Sequence, residues 1–189
     1  MNITKIVRKP VAIRSLVLAL AAGVLPLAVS STSAQAAPYC GITWGSLTKS
    51  ASTMNVGPLT NIRAGRHTCF DRLVVDLKGK PVGYRVGYVT NVYTEGKGDL
   101  VPLRGGAKLQ VVVKAGVVSP TGTVTYQPAN RREAVNVSGF TTFRQVAWAG
   151  SFEGQSTIGV GVRARLPFRA FTIQDATTSR LVIDVAHHW

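Results

Sequence analysis

From residue 59 to the end of the chain, apolar and polar residues alternate with a period of two. In VGYRVGYV, Val82, Tyr84, Val86 and Tyr88 fall on one side and Gly83, Arg85 and Gly87 on the other. In KLQVVVK, Leu109, Val111 and Val113 share a side opposite Lys108, Gln110 and Lys114. In TIGVGVRAR, Ile158, Val160 and Val162 alternate with Gly159, Gly161 and Arg163. This is the period of a β-strand with one buried and one wet face. The β-branched and aromatic residues of these runs suit such a surface. Turn-forming clusters separate them, at residues 78–81, 95–99, 104–106, 119–122, 128–132 and 175–179. No stretch after Leu59 sustains a helical pattern over the roughly 10–12 residues a helix needs. About seven to nine short strands predict an all-β sandwich or barrel. Gly139 and Gly150 punctuate residues 135–152 as bulges would, which predicts long, bent strands there.

One strand phrase is written twice. Arg72-Leu73-Val74-Val75-Asp76-Leu77 returns as Arg180-Leu181-Val182-Ile183-Asp184-Val185. Alternation turns Leu73, Val75 and Leu77 inward, with Leu181, Ile183 and Val185 in the second copy. Both Arg and both Asp then point outward, with Val74 and Val182. Within one copy the Arg and Asp stand about 13 Å apart, too far to pair easily. If the copies are antiparallel neighbours, the Arg of each faces the Asp of the other. Apolar strands also match by chance, but the shared Arg and Asp favour a repeat.

Residues 37–58 are small and polar, with Trp44 as the large aromatic anchor. They read as an N-terminal arm packed through Trp44 on a neighbouring strand, with residues 46–53 either one short helical turn or a loop. Residues 1–36 read as a secretory signal. Lys5, Arg8, Lys9 and Arg14 form its positive start, residues 15–29 its apolar centre, and Ala34-Gln35-Ala36 its cleavage motif. Cleavage between Ala36 and Ala37 leaves a single domain of ordinary size over residues 59–189, preceded by the arm. No other stretch is long and apolar enough to span a bilayer. Tyr39 precedes Cys40 where a lipid-attachment motif needs a small residue, so a lipoprotein is not expected.

Charge and cysteine content add a compartment and a class of partner. Removing the four cations of the signal from the 22 Lys and Arg leaves 18 against 8 Asp and Glu, a net +10. Such a surface attracts polyanions, or serves solubility alone. For an exported bacterial protein the polyanions at hand are wall teichoic acids, anionic lipid head groups and stray nucleic acid; a nucleic-acid partner is not expected. The two cysteines, Cys40 and Cys69, suggest one disulfide in an exported chain.

Five stretches together carry a family resemblance: CGITWGSL from Cys40, NIRAGRHTCFDRLVVDLKG from Asn61, VGYRVGYV from Val82, FRQVAWAGSFEGQSTIGVGVRARLPFRAF from Phe143, and RLVIDVAHHW from Arg180. The combination resembles the AMIN-like family of small exported bacterial proteins, and it covers almost the whole chain after the signal. The resemblance implies an AMIN-like β-sandwich with an internal pseudo-repeat, two related β units each contributing one Arg-Leu-Val strand. It also implies a non-catalytic targeting module, since AMIN domains bring wall amidases and secretin subunits to peptidoglycan. No amidase or secretin segment accompanies the domain in this sequence.

Catalytic patterns are poorly matched. Ala149-Gly150-Ser151-Phe152-Glu153 is not the glycine-flanked serine elbow of a hydrolase. Paired cysteines are not nucleophiles. His67, His187 and His188 are the three histidines, and neighbouring strand residues point to opposite sides, so no metal site or cofactor is expected. Glycoside hydrolysis needs two carboxylates roughly 5–10 Å apart, whereas most carboxylates here lie in turns or in the repeated strands. Glu153, in an inter-strand loop, is either a ligand-facing acid or the ion-pair partner of Arg144 or Arg165. Arg163 and Arg165 are expected on one strand face, open and flat because Gly159 and Gly161 share it. With Arg169 and Arg144 they form a candidate site for phosphate or carboxylate, and Trp148, Phe168 and Phe171 are candidate stacking surfaces for sugars. The bland alternative is solvated arginines and core aromatics.

The expected protein is a secreted, cell-wall-associated, monomeric binding module for peptidoglycan or an anionic wall polymer. An adaptor or inhibitor that docks a wall hydrolase or another exported protein through an exposed sheet edge is the second reading, and an envelope-acting enzyme the third.

Overall fold

The computed structural model describes residues 38–53 and 57–189. The expected signal and its cleavage site lie outside the described residues. Every described residue belongs to one unit, residues 36–189.

A single 3-10 turn, Tyr39–Gly41, precedes the strands β1 (Lys49–Ala51), β2 (Leu59–Arg66), β3 (Phe70–Lys78), β4 (Tyr84–Val89), β5 (Val92–Tyr93), β6 (Leu100–Val101), β7 (Ala107–Val113), β8 (Phe143–Phe152), β9 (Gln155–Val162), β10 (Phe168–Gln174) and β11 (Thr178–Ala186). They form a five-stranded sheet in the order β1-β4-β7-β9-β8, a four-stranded sheet in the order β10-β11-β3-β2, and the small hairpin β5-β6. Every pairing is antiparallel. Each main sheet contains two hairpins joined side by side: β2-β3 with β10-β11, and β4-β7 with β8-β9.

The alternation sorts side chains as its period requires. Leu73, Val75, Leu181 and Ile183 from one sheet meet Val86, Leu109, Val111, Ile158 and Val160 from the other in one core. Each large aliphatic buried this way contributes about 1.5–3 kcal/mol. Tyr84 and Tyr88 cross the core and donate their hydroxyls to the carbonyls of Ala170 (3.2 Å) and Leu166 (2.7 Å). Burial raises the pKa of both phenols, and that of Tyr88 reaches about 12.

Where β9 and β8 lie, the outer face of the five-stranded sheet is covered rather than open, which corrects the expectation for Gly159 and Gly161. A Cβ on Gly161 would lie 1.9 Å from the Arg104 carbonyl oxygen, and one on Gly159 would lie 2.8 Å from Leu103 Cδ1. The segment after β6 therefore runs directly over the glycine stripe. Val92, Val101, Ala147 and Ala149 close a second, smaller core beneath it.

Three local expectations change. Residues 49–51 form β1 instead of a helical turn or loop, because Lys49, Ser50 and Ala51 pair with Val86, Arg85 and Tyr84 at the sheet edge. Gly150, at φ +116°, marks a register shift in β8 as a bulge does, whereas Gly139, at φ +74°, lies outside any strand. Arg163 and Arg165 follow the end of β9 and share no strand face.

The disulfide joins Cys40 to Cys69 across a separation of 29 residues. It ties the arm to the residue before β3, and Trp44 packs on Phe70 at 6.0 Å between ring centres.

Candidate functional site

The repeated phrases lie side by side. In the β3-β11 register Arg72 faces Asp184, Val74 faces Val182, and Asp76 faces Arg180. The antiparallel copies are thus centred on the Val74–Val182 pair, and each Arg stands opposite the Asp of the other copy. The edge strands extend this lattice over the outer face of the sheet. One row reads Arg169, Asp184, Arg72, Gly65; the next Phe171, Val182, Val74, Arg63; the third Ile173, Arg180, Asp76, Asn61.

The two facing charge pairs behave differently. Arg72 donates Nε and Nη2 to the two oxygens of Asp184 at 2.6 and 2.9 Å. Arg169 adds Nε and Nη2 contacts to the same carboxylate at 2.8 and 2.7 Å. The Asp184 side chain is fully buried, so this double clamp offsets the cost of removing its charge from water. Those hydrogen bonds, with the charge of Asp184, raise the pKa of Arg72. The other two facing residues each pair elsewhere. Asp76 takes Arg63 at 2.8 and 3.0 Å, and Arg180 turns to Asp175 at 2.6 Å.

An aromatic wall completes one end. The Arg169 guanidinium sits over Trp44, Phe70 and Phe171 at 5.0–5.7 Å, and Arg72 lies over Phe70 and Phe171 at 5.1 and 5.8 Å. His67 stacks on Phe70 at 4.5 Å. Beside this wall lies a cavity of about 240 Å³. Arg63, Arg72, Arg180, His67 and Ile173 surround it, over a floor of Gly65, Val74 and Val182. Gly65 matters here, because a side chain at that register would stand next to Arg72 and fill the slot. The carboxylate pairs use Nε and Nη2 of Arg63 and Arg72 and only Nη2 of Arg180. The other N–H groups of these three forks stand outside those pairs, and such forks suit phosphate or carboxylate oxygens.

Of the candidate ligand residues singled out from sequence, Arg169 and Phe171 belong to this face, together with the repeat residues Arg72, Asp76, Arg180 and Asp184. Trp148 is buried in the core against Tyr126, and Phe168 is fully buried, so neither offers an open stacking surface. Phe171 stays partly exposed. Arg163 donates to the His187 carbonyl, and Arg165 lies over the Tyr88 ring at 4.8 Å. Arg144 folds back to the carbonyls of Phe140, Thr141 and Phe143. Neither Arg144 nor Arg165 pairs with Glu153 among the described residues. Glu153 is exposed, in the β8-β9 turn, at the rim of an apolar groove of about 980 Å³ with Val118 and Phe152.

The histidines at the chain end diverge. His187 Nε2 lies 3.1 Å from the buried carboxylate of Asp71, which also accepts the N–H groups of Thr142 and Phe143 at 2.6 and 2.9 Å. His188 packs edge-on against Tyr39 at 5.7 Å. Asp71 thus ties the start of β8 and the chain end to β3. Among the described residues no three His, Cys, Asp or Glu side chains are grouped to hold a metal ion.

Sequence reasoning misses Arg63, Gly65, His67 and Phe70. Their signal is the hairpin itself: once NIRAGR pairs with FDRLVVDL, alternation places Arg63 and Gly65 beside Val74 and Arg72.

The fold and this face define a disulfide-tied β-sandwich with one broad face covered over β8 and β9 and the other patterned with arginine and aromatic side chains. Residues 57–187 match the AMIN-like domain, and the chain belongs to that family. No curated protein and no solved structure matches the chain. Among the described residues no helix is long and apolar enough to cross a membrane, and the disulfide fits an oxidising, extracytoplasmic compartment.

Proposed function

We propose that the chain is a secreted, non-catalytic AMIN-like module that holds an anionic cell-envelope polymer, peptidoglycan or a wall teichoic acid, against the outer face of the four-stranded sheet. The observation that carries the reading is the slot between Arg63, Arg72 and Arg180 beside the Trp44, Phe70 and Phe171 wall. Phosphate or carboxylate oxygens bridge the N–H groups that the internal carboxylates leave over. Sugar rings lie against the partly exposed aromatic faces. Asp184 keeps Arg72 and Arg169 fixed before the ligand arrives, which lowers the ordering cost of binding. Generally non-catalytic behaviour in the family agrees with this role.

The test is co-sedimentation of residues 37–189 with purified sacculi, with and without teichoic acid, over a salt series. Retention on stripped sacculi at moderate salt supports peptidoglycan as the ligand. Retention that needs teichoic acid and falls with salt supports the anionic polymer. Arg63→Gln with Arg180→Gln should weaken retention at least about tenfold, the loss of one charge-assisted hydrogen bond. Arg163→Gln with Arg165→Gln should leave it unchanged. No retention of the wild-type chain on either preparation rules the reading out.

A further inference from the structure

The end of the sandwich at the β2-β3 turn holds a second polar cavity, of about 540 Å³. It is lined by Arg66 from the end of β2, His67 and Thr68 from the turn, Thr141 from the segment before β8, and His187 from the chain end. Asp71 gathers these segments. Its Oδ2 accepts the N–H groups of Thr142 and Phe143, and its Oδ1 lies 3.1 Å from His187 Nε2. Asp71 is itself fully buried and does not line the cavity, nor does any other carboxylate among the described residues.

Most of the polar atoms around this cavity are not engaged. Arg66 donates Nη1 to the Gly139 carbonyl at 2.9 Å, and its Nε and Nη2 donors stay outside that bond. Among the described residues the hydroxyls of Thr68 and Thr141 and the ring nitrogens of His67 make no hydrogen bond. His187 carries the argument furthest. Its side chain is only 8% exposed, and Nε2 is held by Asp71. Its Nδ1 has no partner, yet is not sealed into the core. A buried imidazole with one nitrogen fixed and the other unpartnered, in the wall of a cavity, calls for a ligand atom.

We infer that this cavity binds a phosphate-class oxyanion. Arg66 brings a permanent charge and a fork that matches phosphate oxygens. Thr68 and Thr141 add hydroxyl donors from two further segments. Because Asp71 accepts the Nε2 proton, His187 presents Nδ1 to the ligand. As an imidazolium it donates to a phosphate oxygen, and as a neutral ring it accepts the proton of a P–O–H group. Donors from four positions suit a tetrahedral oxyanion, whereas a carboxylate has two oxygens to divide among them.

His67 borders both this cavity and the slot beside Arg63, Arg72 and Arg180. The phosphoryl group therefore has two sources of the same chemistry. One is a polymer that continues from the slot past His67, which rests on the function proposed above. The other is a small phosphate-bearing molecule.

Ring-nitrogen NMR of the histidines of residues 37–189, titrated with inorganic phosphate at constant pH, tests the site. His67 and His187 should shift along one saturation curve. His188, packed against Tyr39 outside the cavity, should not. Chloride at matched ionic strength should move none of them. Arg66→Gln should weaken phosphate binding at least about tenfold, the loss of one charge-assisted hydrogen bond. Its melting temperature should stay near that of wild type, because Arg66 is exposed. Thr68→Val with Thr141→Val should also weaken binding although no charge is removed. Arg85→Gln, which removes an exposed cation of β4, should not. Phosphate shifts no larger than those with chloride, or equal affinity of wild type and Arg66→Gln, overturn the inference. Polymer retention separates the sources. Retention that falls in Arg66→Gln together with phosphate affinity assigns the phosphoryl group to the polymer. Full retention by a variant that has lost phosphate assigns it to a small molecule. A wild type that retains no polymer but binds phosphate removes the proposed function and leaves this site standing.

Discussion

Arg72 grips Asp184 through two hydrogen bonds although the two residues are 112 positions apart in the chain. Each comes from one copy of the repeated phrase, so the pair joins the start of the β-sandwich to its end. Arg72→Met should cost about 3 kcal/mol, because it strips a partner from a buried carboxylate. Arg63→Met, whose pair with Asp76 is largely exposed, should cost about 1 kcal/mol or less. Urea unfolding of both variants checks the contrast, and equal shifts in midpoint would contradict it.

The disulfide should stabilise the unit by about 3–4 kcal/mol in the chain-entropy model. Cys40→Ser with Cys69→Ser should therefore lower the unfolding midpoint. It should also loosen Trp44 from Phe70, visible as a shift of tryptophan emission before global unfolding.

The two glycines of β9 should respond unequally to a methyl group. Gly161→Ala meets a backbone carbonyl that cannot step aside, and should cost about 2–3 kcal/mol. Gly159→Ala meets the end of the Leu103 side chain, which can rotate, and should cost about 1 kcal/mol or less. Thermal melts of the two variants decide the order.

Alkaline pH should unfold the unit through its buried phenols. Tyr88 and Tyr126 ionise at about 12 in the folded chain, because burial penalises the phenolate, against an ordinary value of 10.0. The folded state then holds more protons than the unfolded one between these values, so stability falls as pH rises from 10 towards 12. Tyrosinate absorbance should show a late-titrating group of phenols, and Tyr88→Phe should flatten the loss. A single titration at the ordinary value would contradict this.

The strand faces are legible in the sequence because alternation responds directly to burial: Leu73, Val111 and Val160 sit where their period places them. The facing of Arg72 with Asp184 is legible as well, since an antiparallel pair of matching phrases allows it. The face over Gly159 and Gly161 reads as open from sequence and is not, because glycine leaves room equally for solvent and for another backbone. Period alone does not say which arrives. Arg163 and Arg165 read as strand residues since alternation continues past the point where pairing with β7 and β8 stops at Val162. Trp148 reads as a platform because an aromatic's identity does not reveal which layer it faces, and burial against Tyr126 settles it.

The covered glycine stripe has one more consequence. The segment around Leu103 and Arg104 lies over the glycine stripe as a lid on that part of the broad side. When the arginine side lies on a polymer, this lid is turned to the surroundings, fixed in place by close backbone packing. Whatever meets the module there meets the same surface whether the opposite side is loaded or empty, so occupancy stays hidden from a partner that touches the lid alone.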